Sequence, residues 1–107
     1  MSTATSGRAR EHKVRDALTA AGYPAIMRAA ASKGAADLLH GHHDIGAVLV
    51  QVGTGNKTLG PDDRNRFCDA ADLCGALPIL ATVIPRVGIR YWLVTRDVPS
   101  TWTEWSP

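Results

Sequence analysis

The apolar run I45-G-A-V-L-V-Q-V52 constrains this chain more than any other segment. A run of this length rich in Val, Ile and Leu reads as a buried core strand. The residues after it narrow the fold further. G53-T-G-N-K-T-L-G60 has loop chemistry. Pro61 and Asp62 then open a helix that runs to about Cys74, with Phe67, Ala70, Ala71 and Cys74 on one face and Gly75 as its stop. A second apolar run, P78-I-L-A-T-V-I84, comes next. Strand, helix, strand in that order predicts a parallel pair joined across the helix.

Upstream, A35-A-D-L-L-H40 predicts a short strand, and G41-H-H-D44 is a tight turn that would fold it back against 45–52 as an antiparallel hairpin. The stretch from Tyr23 to Ala31 suits an extended segment, with S32-K-G34 as a bend. Residues 8–21 form an amphipathic helix, because Val14, Ala17, Leu18 and Ala21 recur at helical spacing before Gly22. After a turn at P85-R-V-G88, I89-R-Y-W-L-V-T95 predicts a last strand. The order α-β-β-β-α-β-β gives an α/β fold with a mixed central sheet of about five strands flanked by helices. At 107 residues the chain is large enough for one core, so residues 8–95 are expected as one domain. Residues 1–7 are expected as a disordered tail and 96–107 as a C-terminal tail in which Trp102 and Trp105 suit a covered apolar edge or an oligomer contact.

Composition mainly excludes. No run approaches the roughly 18 apolar residues of a membrane span, and M1-S-T-A-T-S-G7 lacks the apolar centre of a signal peptide, so a cytoplasmic setting is expected. Cys68 and Cys74 have neither C-x-x-C spacing nor a shared helix face, which argues for buried free thiols over zinc or a disulfide. The net charge of +2 is too small to argue for nucleic acid by itself. Its distribution is uneven, however: Arg8, Arg10, Lys13, Arg15, Arg28 and Lys33 crowd the first third against Glu11 and Asp16. Such a cluster either faces phosphates or forms a solvated helix face.

Three polar residues interrupt the apolar pattern from within. Glu11 shares the helix face of Val14 and Leu18, Asp37 lies between Ala36 and Leu38, and Gln51 lies near the end of the core strand. The hairpin brings Asp37 and Gln51 within reach of each other. A carboxylate, an amide oxygen and a nearby backbone carbonyl are hard oxygen donors that suit Mg²⁺ or Mn²⁺. An ion of that kind polarises a phosphate and acidifies water, which phosphodiester hydrolysis needs. Two rival motifs are weaker. His40, His42 and His43 beside Asp44 offer imidazoles but also make a good exposed turn, and G53-T-G-N-K-T58 lacks the spacing of a nucleotide-binding phosphate loop.

In their order and spacing, S32-K-G34, A36-D-L38 and V48-L-V-Q-V-G53 resemble the PD-(D/E)xK nuclease superfamily. The closer likeness is to the archaeal-type Holliday-junction resolvases and their relatives in actinobacteria and actinobacterial phages. It runs from about Gly7 to Thr95, and I89-R-Y-W-L-V-T and W102-T-E-W-S-P resemble the C-termini of the phage members. The resemblance implies a restriction-endonuclease-like core that hydrolyses phosphodiester bonds in four-way or otherwise branched DNA with Mg²⁺ or Mn²⁺. It also implies a homodimer, since a four-way junction offers symmetric scissile sites. Carried onto this chain, it makes Asp37 the metal ligand, with Gln51 in place of the second acidic ligand and the carbonyl of Val52 completing the set. Glu11 would orient the attacking water, Ser32 and Lys33 would touch the scissile phosphate or its neighbour, and Arg8 and Arg10 would hold the DNA backbone.

One position departs from the pattern. Where the family carries a lysine, this chain has Gly53. That lysine would stabilise charge developing on the phosphate or help deprotonate the attacking water, and glycine does neither. Three readings stay open: Lys57 or Lys33 reaches into the vacated space, the protein binds branched DNA without cutting it, or the site has been altered. Lys57 is the candidate catalytic lysine. A non-catalytic interaction module on the same fold is the alternative, and convergence of Glu11, Asp37 and Gln51 beside a lysine amine separates the two.

Overall fold

The computed structural model describes residues 3–28, 36–42 and 44–107, the side chains of 3–6, 27 and 28 excepted. Helix α1 (Thr3–Ala20) leads into strands β1 (Ala25–Arg28), β2 (Leu38–His42) and β3 (Gly46–Thr54). Helix α2 (Pro61–Cys74), β4 (Ala76–Ile84), β5 (Gly88–Leu93), a single 3-10 turn (Pro99–Thr101) and β6 (Thr103–Trp105) complete the chain. The strands form one six-stranded sheet in chain order, β1 to β6. Every neighbouring pair is antiparallel except β3 and β4, which run parallel. That exception is the pair joined through α2, as the strand-helix-strand pattern predicts, and the β2–β3 hairpin is also where the sequence puts it.

The apolar run of β3 is explained by what covers it. Val48 and Val50 pack with Val14 and Leu18 of α1, together with Ile79 and Ala81 of β4. Leu49 and Leu80 face the other way, onto Phe67, Cys68 and Ala71 of α2. A strand sandwiched between two helices has no solvated face, so its alternation is apolar on both sides. Phe67 is fully buried, which is worth about 1.5–3 kcal/mol relative to an exposed side chain.

Helix α2 starts with Pro61 in its first turn, followed by Asp62 and Asp63, whose charges suit the positive end of the helix. It ends at Gly75 in the left-handed conformation (φ 64°, ψ 35°), whose N–H bonds the carbonyls of Ala71 and Asp72. Any side chain there is strained, so Gly75→Ala should lower stability by about 1–2 kcal/mol, read as a lower urea midpoint with an unchanged m-value.

Several expectations shift. Helix α1 begins at Thr3 and not at residue 8. The sheet has six strands, not about five, because the C-terminal tail supplies β6. Trp105 packs edge-on against Tyr23 (5.6 Å) and Tyr91 (5.7 Å), while Trp102 is buried on the α2 side with its indole N–H donated to the Asp97 carbonyl at 3.2 Å. The tryptophans thus pack on the two faces of this chain's own sheet. Cys68 is a buried free thiol, pushed above its ordinary pKa by burial, but Cys74 beside the Gly75 cap is exposed. The inward stripe of α2 is Arg64, Phe67, Cys68 and Ala71. Among the described residues, no helix is long and apolar enough to cross a membrane.

Candidate functional site at the end of β3

The β2–β3 hairpin sets the site. Leu38 pairs with Val50, and the Asp37 N–H bonds the Val50 carbonyl at 2.9 Å, so Asp37 continues the ladder and stands opposite Gln51. Its Oδ2 accepts the Val52 N–H at 2.8 Å. That bond pins the half-buried carboxylate against the end of β3, at the residue whose carbonyl the family resemblance assigns to a metal. Sequence reasoning brought these strands together; the bond to Val52 N–H it did not foresee.

Across the sheet, Gln51 pairs with Leu80, Leu80 with Trp92, and Trp92 with Glu104. One row further along, Gly53 pairs with Thr82 and Thr82 with Arg90. Paired residues share a face, so Gln51 and Gly53 lie on the α2 side of the sheet with Leu80.

Gly53 is where the family pattern fails, and the space beside it is filled. A Cβ built on Gly53 would lie 2.5 Å from Cγ and 2.6 Å from Cβ of Lys57. The chain turns back immediately after β3: the Lys57 N–H bonds the Thr54 carbonyl at 3.0 Å, closing a tight turn through Gly55 and Asn56. The stem of Lys57 is thereby laid over the bare backbone of Gly53, and residue 57 is exposed overall. The glycine, the turn and the lysine form one local unit.

Arg64 holds the far end of that loop, and sequence reasoning did not single it out. Its guanidinium is buried, with Nη1 donating to the Leu59 carbonyl at 3.0 Å and Nε to the Arg96 carbonyl at 3.4 Å. Arg96 in turn pairs with Asp69 at 2.8 Å and Asp72 at 3.1 Å on α2. The available signal was an arginine one helical turn before Phe67, on the inward face of α2.

The remaining expected residues are more scattered. Glu11 is half-buried on the stripe of α1 that carries Val14 and Leu18, and that helix packs on the opposite face of the sheet from Gln51. On the same helix Arg8 is exposed and Arg10 half-buried. Ser32 and Lys33 lie outside the described residues, as does His43. His40 is a core residue: its Nδ1–H donates to the Tyr23 carbonyl at 2.7 Å. His42 accepts the Asp44 N–H on Nδ1 at 3.1 Å and lies against the Tyr23 ring. Both imidazoles therefore serve the fold.

Among the described residues, no three His, Cys, Asp or Glu gather as a metal cluster. The donors at the end of β3 are instead the Asp37 carboxylate, the Gln51 amide and the Val52 carbonyl, all hard oxygens. They fit magnesium or manganese, since magnesium is commonly held by one or two carboxylates and keeps several waters. The set does not fit zinc, which wants sulfur and imidazole.

No family model matches the sequence, and no curated relative is found. Among solved structures the chain is similar to Hjc of Archaeoglobus fulgidus, a Holliday junction resolvase from an archaeal hyperthermophile, with a TM-score of 0.69 and 24% identity over 80% of this chain and 70% of that one. The chain therefore shares the restriction-endonuclease-like fold of that structure, a mixed sheet flanked by helices.

Proposed function

We propose that this chain is a metal-dependent endonuclease of the Holliday-junction-resolvase type, hydrolysing phosphodiester bonds in branched DNA, with Lys57 acting in place of the motif lysine at 53. The observation that carries this is the stem of Lys57, which lies where a side chain on Gly53 would begin.

Asp37, Gln51 and the Val52 carbonyl would hold Mg²⁺ or Mn²⁺. Bound there, the ion would polarise the phosphate and make water a better nucleophile. The Lys57 ammonium would stabilise the charge that develops on the phosphate. Glu11 would orient the attacking water only by reaching round the open end of β3, because α1 packs on the face opposite Gln51; Ser32 and Lys33 would touch the phosphate, and Arg8 and Arg10 would position the DNA backbone without reading sequence. A homodimer would place two such sites on a symmetric junction. The resemblance to actinobacterial and phage resolvases and a cytoplasmic setting belong to the same proposal.

The alternative is a protein that binds branched DNA without cutting it. Gln51 supports that reading, because it brings no charge where the family has a carboxylate. A labelled four-way junction incubated with Mg²⁺ or Mn²⁺, beside a duplex of the same arms, separates the two. The wild type should cut the junction and spare the duplex. Asp37→Asn should lose on the order of 10²–10³-fold in rate, the worth of several kcal/mol of metal catalysis, while junction affinity stays within a few-fold. Junction binding without cuts would establish the alternative, and no binding would sink both.

A further inference from the structure

We propose that the cavity behind Lys57 is a base subsite, which takes one unstacked nucleobase of the DNA next to the phosphate that Lys57 would face. The inference rests on the nuclease reading above and adds a second point of substrate contact to it. A cavity of about 200 Å³ opens on the α2 side of the sheet, with Leu80, Trp92 and Trp102 as its apolar walls and Lys57, Thr58 and Thr82 at its polar side. Leu80 is the strand partner of Gln51 and Thr82 that of Gly53, so the cavity occupies the same rows of the sheet as the candidate site.

The walls favour a flat ring. The Trp102 indole N–H is already donated to the Asp97 carbonyl, which fixes the ring and leaves it without a free donor. Arg90 lies over Trp92, 5.0 Å from the ring centroid, and is held there by Glu104 at 3.1 and 3.3 Å. Trp92 is thus braced, and both indoles are ordered before any ligand arrives. The volume falls below the about 300–1,000 Å³ of ordinary small-molecule pockets, which suits one ring system and not a whole nucleotide. Aromatic walls beside a lysine match a base and its phosphate, which a nucleotide carries close together. A base at a branch point has a stacking neighbour on one side at most in the open junction, so it costs less to unstack than a base inside a continuous duplex.

The test measures junction affinity in EDTA, without turnover. Four-way junctions each carry one abasic nucleotide, moved in turn through the positions flanking the branch point. For the wild type, one position should weaken binding by about 5- to 100-fold, the worth of one stacked base. For Trp92→Leu that penalty should fall below about twofold, as expected when the partner of an interaction is gone. Thr58→Trp, a plug introduced from an exposed loop position, should abolish the same penalty with the sheet untouched. If every abasic junction binds the wild type equally, or the penalty survives in both variants, the subsite is overturned while the nuclease reading stands. If the wild type binds no junction, both fall together.

Discussion

Gly53→Ala is expected to cut a four-way junction on the order of 10²–10³-fold more slowly than the wild type, the loss typical of removing one charge-stabilising donor. By ordinary rules this substitution should be harmless or helpful, since alanine is the better residue in a strand interior. The damage comes from Lys57. A methyl group at 53 would meet Lys57 Cβ and Cγ at 2.6 and 2.5 Å, well inside any real carbon–carbon contact. Those atoms are the root of the side chain, so the ammonium cannot simply swing aside; the turn from Thr54 to Lys57 must move. Lys57→Ala should lose activity by the same factor, and the two substitutions combined should lose no more than either alone. Gly53→Lys alone should cut as slowly as Gly53→Ala, because the new lysine collides with the old one. Gly53→Lys with Lys57→Gly should restore activity to within about tenfold, since the ammonium then rises from the strand itself. Single-turnover rates on one labelled junction, with thermal melts to confirm folding, decide the matter. Wild-type cutting by Gly53→Ala would remove Lys57 from the mechanism.

The fold and the site were legible in the sequence to the extent that each pattern acts over a long enough range. The buried strand β3, the hairpin before it and the parallel return after α2 could all be read, because each rests on periodicity over a whole element or on local turn chemistry. β6 could not be read. A strand from Thr103 to Trp105 is too short for alternation to show, and what fixes it is the contact of Trp105 with Tyr23 and Tyr91, which are distant in sequence. The opposition of Asp37 and Gln51 came from the hairpin, but the bond from Val52 N–H to Asp37 depends on where the ladder ends, a matter of single residues. Lys57 could be named as a lysine near enough to matter. That its stem covers Gly53 depends on the tight turn between them, which a run of glycines and asparagine allows without specifying. Arg64 escaped because an arginine on an amphipathic helix ordinarily marks the solvated side.

Arg64→Met should lower stability by about 2–3 kcal/mol and, independently, slow cutting by about tenfold. The first figure is what charged hydrogen bonds and stranded acceptors are worth: each bond to a charged donor contributes about 1.5–3 kcal/mol, and the bond to the Arg96 carbonyl, at 3.4 Å, is the weaker of the pair. Methionine refills most of the volume, so the cost lies in leaving the carbonyls of Leu59 and Arg96 without their donor. A buried ion pair can often be replaced by apolar side chains without loss, but here the acceptors are backbone groups that remain whatever the side chain. The melting temperature should drop by roughly 10 °C. The second effect comes from position. Leu59 lies just beyond Lys57, and the bond to its carbonyl ties the loop that presents Lys57 to the first turn of α2. Once that tie is cut, the ammonium samples a wider volume, and misplacing a catalytic group by about 1 Å can cost up to 10²-fold. Arg64→Lys keeps the charge but loses the fork that reaches both carbonyls, so it should fall between the wild type and methionine on both measures. Rates are compared well below the lower melting temperature, where all three proteins are folded. If Arg64→Met is destabilised but cuts junctions at the wild-type rate there, Arg64 supports the fold and has no part in placing Lys57.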